Sequence, residues 1–291
     1  MARATRSASR KARLTEAVAT GPLGALSHDE LGVIFDGLAD PLQPVVAVAL
    51  SSTCLGLRTP LRAALEVLQE RHGRAVALCR KMKMSCVGLR DATALYWTVK
   101  GLTADDVATL SMILRTSGLP KLRTLILECN DFGDAGMQAL CAGLDPGSAP
   151  SLHNLDLDDN KFGPVGAEAL AAALGRGAMP KLEVLSLAHN PISNQGVAAL
   201  AAPLRTRPSF RKLGLVGSEI GDEGVASLVD NLGKNDFMAL EALWIHGNMI
   251  TSVGGAKVVA AIDAGGLPKL ESFASDDAAR AVQGALRRRL E

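Results

Sequence analysis

Excess charge of either sign is missing from this sequence. Among 291 residues, 31 lysines and arginines stand against 30 aspartates and glutamates, a formal net charge of +1. The chain as a whole therefore offers no electrostatic footprint for nucleic acid or an anionic membrane. Long apolar runs are missing too: no stretch approaches the roughly eighteen residues of a membrane span, and the N-terminus lacks the apolar segment of a secretory signal, which points to a soluble protein. Cysteine is scarce. Cys54, Cys79, Cys86, Cys129 and Cys141 are odd in number and form no Cys-x-x-Cys pair, which speaks against a disulfide framework and reads as reduced thiols filling a core inside a cell.

The arrangements that carry catalysis are lacking as well. Asp156-Leu157-Asp158-Asp159-Asn160 imitates the start of a calcium loop, but Lys161 stands where that loop needs glycine and Ala167 where it needs glutamate. Gly255-Ala256-Lys257-Val258 has neither the spacing nor the hydroxyl of a phosphate-binding loop. No dinucleotide fingerprint, nucleophile elbow or His-Glu-x-x-His pair occurs, and the five histidines, His28, His72, His153, His189 and His246, are scattered. The expectation is a protein that is not an enzyme, with no catalytic residue, metal or cofactor.

What the sequence does have is apolar residues in abundance, 48% against 21% charged, enough to bury a continuous core. Residues 1–21 stand apart as a basic tail read as disordered, with Arg3, Arg6, Arg10, Lys11 and Arg13 and no acidic residue before Glu16. Three readings of it stay open: a solubilising tail, a nuclear-import patch, or an organelle transit peptide at residues 1–20. Localisation is accordingly expected to be cytoplasmic or nuclear, with the transit reading as the third option.

From residue 92 onward the chain repeats itself. Leu122-x-x-Leu125-x-Leu127-x-x-Asn130 recurs 30 residues later ending in Asn160 and 30 later again ending in Asn190; Phe210, Leu213, Leu215 and Ser218 follow after 28, and Leu240, Leu243, Ile245 and Asn248 after 30. Leu95 and Trp97 with Lys100 form a leading copy, and Leu270 and Phe273 open a terminal one. In each copy the Leu-x-Leu segment alternates at period 2, as a short parallel strand does. Downstream, Met137, Leu140, Cys141 and Leu144 recur at helical spacing, and small residues such as Ala169 and Ala199 are expected to let the helices approach the sheet. A lone strand–turn–helix unit cannot bury its leucines, so the copies must stack. Asn130, Asn160, Asn190 and Asn248 are expected to be a buried ladder, because an amide side chain carries both the donors and the acceptor that stranded turn backbone needs.

These copies resemble ribonuclease-inhibitor-like leucine-rich repeats. The resemblance implies an α/β fold, a horseshoe-shaped solenoid with parallel strands on the concave side and helices on the convex side, occupying residues 92–291 and ending in a capping helix that carries Arg287, Arg288 and Arg289. It also implies a protein partner. Alternation assigns Tyr96, Ile126, Glu128, Asp156, Asp158, Lys212, Trp244 and His246 to the concave face as candidate contacts, aromatic and charged groups being the usual carriers of interface energy.

Ahead of the repeats, residues 22–72 read as a helical module: Ser27 and Glu30 have capping-box spacing, Val45 to Leu50 suggest a second helix, and a third runs from about Pro60 to His72. Residues 73–91 are a lead-in in which Arg80 to Cys86 alternates as a strand might. The module resembles an F-box, which docks substrate receptors onto the adaptor of a cullin-based ubiquitin ligase; Leu26, Leu31, Ile34, Phe35, Leu38 and Pro41 fall at its adaptor-facing positions. Ser27 and Leu57 depart from the pattern. The competing reading is a small all-α cap over the first repeat. Function is thus expected to be protein binding, as a receptor in a ligase, as a scaffold or inhibitor without one, or as a regulator of the kind seen in the similar Ran GTPase-activating proteins.

Overall fold

A computed structural model describes residues 31, 34, 35, 38–52, 61–116 and 118–290. The chain divides into two compact units, Met1–Leu89 and Arg90–Glu291. In the first, Leu31, Ile34, Phe35 and Leu38 are helical, and helices α1 (Val45–Ser52) and α2 (Arg62–Lys81) follow. Leu31, Phe35, Ala39, Ala47, Leu61 and Leu68 are buried together, with Ala64 and Leu65 packed against them. Helix α2 runs straight through residue 72, where the sequence suggests the end of a helical module. The alternating segment 80–86 is not a strand: Lys83 takes a left-handed backbone (φ 55°), and the Met84 N–H donates back to the Cys79 carbonyl at 2.9 Å, the six-to-one closure of a helix C-terminus. A short helix α3 (Cys86–Arg90) starts two residues later.

The second unit alternates strand and helix without exception: β1 (Ala94–Tyr96), α4 (Ala104–Thr116), β2 (Thr124–Ile126), α5 (Gly133–Ala142), β3 (Asn154–Asp156), α6 (Pro164–Gly175), β4 (Val184–Ser186), α7 (Ser193–Arg205), β5 (Lys212–Gly214), α8 (Asp222–Val229), β6 (Ala242–Trp244), α9 (Ser252–Asp263), β7 (Ser272–Ala274) and α10 (Ala279–Leu290). The seven strands form one open parallel sheet in sequence order. Register follows the repeat, so Leu95, Leu125, Leu155, Leu185, Leu213, Leu243 and Phe273 form one row across the sheet, and all are buried. Each helix packs on the next one along, from α4 to α10. Met137, Leu140, Cys141 and Leu144 are buried as their helical spacing requires. Close approach between successive copies is made by glycines, since a Cβ on Gly166, Gly196 or Gly224 would lie 2.9, 2.8 and 2.7 Å from Asp134, Ala167 and Asn194, whereas Ala169 and Ala199, expected to face the sheet, are half-exposed.

Two sets of polar contacts tie neighbouring copies together at the helix ends. An acidic or amide side chain in one copy accepts from the first helical N–H groups of the next: Asp134 Oδ1 from Gly163 and Gly166 (both 2.8 Å), Asn194 Oδ1 from Gly221 (2.7 Å) and Gly224 (3.1 Å), and Asp222 Oδ1 from Thr251 (2.8 Å) and Gly254 (3.0 Å). This satisfies donors that a helix start leaves orphaned. It also requires glycine, since a Cβ on Gly254 would meet Asp222 Oδ1 at 2.5 Å. At the other end, guanidinium groups satisfy orphaned carbonyls: Arg207 donates to Leu174, Ala178 and Met179, Arg205 to Ser227, Leu228 and Asp230, and Arg176 to Cys141 and Leu144. Cations near helix C-termini also complement the dipole. Arg289, in the basic end of α10, likewise donates to Leu267 and Leu270, and Arg288 pairs with Asp263 at 3.3 Å.

Candidate functional site

The turns that leave the strands set the rim of the sheet. Val99, Cys129, Asp159 and His189 all have φ between 52° and 56°, so the chain reverses at the same point in each copy. One asparagine per copy then serves the stranded backbone. Asn160 donates from Nδ2 to the carbonyls of Leu127 (2.9 Å), Leu157 (3.0 Å) and Asp158 (3.1 Å), while its Oδ1 accepts the Asn130 N–H at 3.0 Å. Asn130 and Asn190 repeat this pattern one copy either side, Asn130 Oδ1 reaching the N–H groups of Lys100 and Leu102. These three side chains are buried. Asn248 makes the same set of bonds, to Leu215, Ile245 and the N–H groups of Ser218 and Ile220, but is half-exposed, because it lies near the end of the stack. Ser218 stands in for one asparagine: fully buried, its hydroxyl donates to Leu187 (3.3 Å) and Val216 (3.2 Å).

On the face away from the buried leucines the register makes rows. Tyr96, Ile126, Asp156, Ser186, Gly214, Trp244 and Ala274 are mutual neighbours across the sheet. Ala94, Thr124, Asn154, Val184, Lys212, Ala242 and Ser272 form the row before it. Glu128, Asp158, Ala188, Val216 and His246 form the row after, tied by bonds from Val99 to Glu128, Cys129 to Asp158, Asp159 to Ala188, His189 to Val216 and Gly217 to His246. All eight residues that alternation assigns to this face therefore lie in three adjacent rows. Tyr96 is 66% exposed, His246 is exposed, and Ile126, Glu128, Asp156, Asp158, Lys212 and Trp244 are half-buried.

Glu128, Asp156 and Asp158 cluster. Burial pushes the Asp156 carboxyl up to about 6, with the charges of Asp158 and Glu128 adding to the effect and the Asp158 N–H opposing it at 3.1 Å. Asp158 is raised by burial in the same way, against hydrogen bonds from the Ser186 hydroxyl and the Ala188 N–H (2.7 Å). Alternation alone suggests a solvated Asp158; the backbone turn at Ala188 instead draws it onto the sheet. Trp244 Nε1 donates to Ser272 Oγ at 3.3 Å.

Two features escape residue-by-residue reading. The low ground between these groups, Ser186, Ala188, Gly214 and Val216, consists of residue types that attract no attention singly. The helix-start contacts of Asp134, Asn194 and Asp222 were legible only as an Asp/Asn-x-Gly phrase recurring with the repeat. Of the residues assigned to the adaptor-facing set, Leu26 lies outside the described residues. Leu31 and Phe35 are 4% and 1% exposed in the first unit's own core, and Pro41 is buried with its carbonyl 2.7 Å from His72 Nδ1. Ile34 and Leu38 are exposed, as are Val45 and Val46 on α1. The cysteines divide similarly. Cys79 and Cys141 are buried and burial pushes each thiol up to about 12, whereas Cys129 is half-buried on a strand-exit turn.

Among the described residues, no helix is long and apolar enough to cross a membrane, and no group of three or more His, Cys, Asp or Glu side chains could hold a metal ion. A search of curated proteins gives no match. The family model described as Leucine Rich repeat matches residues 118–141, 148–171 and 178–201, three consecutive stretches that each hold one strand, its asparagine turn and most of the following helix. With that phrase continued by the same register over seven strands, this chain carries leucine-rich repeats stacked as an α/β solenoid, the architecture of a protein–protein interaction module.

Proposed function

We propose that this protein is a substrate receptor of the F-box and leucine-rich repeat type: the strand face of residues 90–291 holds a target protein, and residues 22–72 dock onto the adaptor of a cullin-based ubiquitin ligase. The repeats, at nearly 30 residues with a helix in each, fit the ribonuclease-inhibitor-like kind. The observation that carries the docking half is the division of the first unit's apolar residues. Leu31 and Phe35 hold its core, while Ile34 (37% exposed), Val45 (67%) and Val46 (51%) leave apolar surface available to a partner. A module that served only as a cap would not need that surface.

The test uses surface substitutions that leave the core intact. Ile34→Glu and Val45→Glu in the full chain are expected to abolish co-purification of the ligase adaptor without lowering the melting temperature. Wild-type protein that never retains the adaptor would refute the ligase half and leave a scaffold or inhibitor that binds through the strand face alone.

A further inference from the structure

Resting on the reading of the strand face as the partner surface, we propose that β3 to β6 form a trough for a segment of the partner that presents a lysine or arginine side chain toward β3 and an apolar side chain toward β6. Paired register places Asp156, Ser186, Gly214 and Trp244 in line, with Asp158 and His246 in the adjacent row. At about 4.8 Å per strand the backbones of β3 and β6 stand about 14 Å apart, and the gap left between their side chains suits one extended segment. Between the walls the middle row holds only Ser186 and Gly214, where a Cβ on Gly214 would meet Ser186 Oγ at 2.9 Å, and Lys212 of β5 stands one row away on the same face.

The two walls differ in chemistry. On the β3 side, the charges acting on half-buried Asp156 are Asp158 and Glu128, of its own sign; Asp158 feels Glu128 and, in opposition, His189. Backbone N–H groups of Asp158 and Ala188 and the Ser186 hydroxyl serve these carboxylates, neutral donors that leave the charge of the three acidic side chains in place. A cationic side chain from a partner supplies the complement, and an acidic segment is repelled. On the β6 side, the Trp244 N–H is engaged by Ser272, so the indole offers apolar surface. The trough thereby reads both the sign of a partner segment's charge and its direction.

The full chain is tested by selecting a random displayed peptide library on it, then measuring the enriched peptides against three variants. Asp156→Asn with Asp158→Asn keeps both acceptors and removes only charge; Trp244→Ala removes the apolar wall; Ser186→Arg fills the trough with a cation of its own. Enriched peptides are expected to pair Lys or Arg with an apolar residue, to bind more weakly as salt rises, and to lose about tenfold or more in affinity in each variant. Acidic peptides, or peptides lost with Ser186→Arg and Trp244→Ala yet indifferent to the Asn pair, would overturn the cationic chemistry while sparing the strand face. Failure to select any peptide, or peptides indifferent to all three variants, would overturn the trough and the strand-face reading together.

Discussion

Replacing Asn160 by alanine removes four hydrogen bonds, yet the cost is not four bonds' worth. Each carbonyl that Asn160 serves has another donor: Leu127 also accepts from Asn130 Nδ2 (2.7 Å), Leu157 from Asn190 Nδ2 (2.9 Å), and Asp158 from the Cys129 N–H (3.0 Å). The Asn130 N–H, which lies in the preceding copy, depends on the Asn160 Oδ1 alone. One orphaned buried donor costs about 1–3 kcal/mol, and four independent bonds would cost up to about 6. Since Asn160 is wholly buried, the expected loss is about 2–3 kcal/mol. Urea denaturation followed by circular dichroism measures it, and hydrogen exchange locates it: the amide of Asn130 is expected to exchange faster, one copy away from the substitution. Asp158→Ala is the comparator. It removes the acceptor of the Ala188 N–H but at a half-exposed position, and it relieves repulsion with Asp156 and Glu128, so it is expected to stay within about 1 kcal/mol of wild type. Equal losses in the two variants, or unchanged exchange at Asn130, would refute the shared-ladder reasoning.

The legibility of this molecule in its sequence follows the repeat. Period-2 leucines and a constant interval fix both the strand and its register, so that Leu125 and Leu155 name each other as neighbours before any coordinates exist. Contacts that cross from one copy to the next share that interval, which is why the Asn130–Asn160–Asn190 ladder could be read and why Asp134 to Gly166 could have been. Arg207 could not. It falls where the repeat shortens to 28 residues, and its three carbonyl partners belong to the copy before. Lys83 shows the opposite failure: a few alternating residues imitate a strand, but one left-handed backbone and the end of a 20-residue helix prevail. On the candidate face, position was legible and environment was not. Alternation placed Asp158 outward, while its partial burial and its bond to Ala188 depend on how the next strand turns.

Helix packing gives a second test. A Cβ on Gly143 would lie 2.2 Å from the Ser111 carbonyl oxygen, so Gly143→Ala is expected to push α4 from α5 and destabilise by several kcal/mol, about 3 or more. Gly175→Ala, with nothing within 4 Å, is expected to be neutral or stabilising by about 0.5 kcal/mol, and the same thermal melts compare the two. Leu157→Ala, at a fully buried position just after β3, is expected to cost about 2–5 kcal/mol; a loss below about 1 would contradict its burial. The last test is of pH. Asp156 titrates near 6 in the folded chain and near 4 when unfolded. Between those values the folded state holds a proton that the unfolded state has lost, so this residue's contribution makes stability fall as pH rises from about 4 to about 6, and leaves it level above. The full difference corresponds to just under about 3 kcal/mol, which screening at a partly exposed site reduces to about 1. Asp156→Asn keeps an oxygen for the Asp158 N–H and removes the charge. It is therefore expected to match wild type at pH 4 and to be more stable by about 1 kcal/mol at pH 7, read as the difference between paired urea denaturation curves. A variant less stable than wild type at pH 7, or a difference that stays constant across the range, would show that burial of this carboxylate is not what strains the strand face.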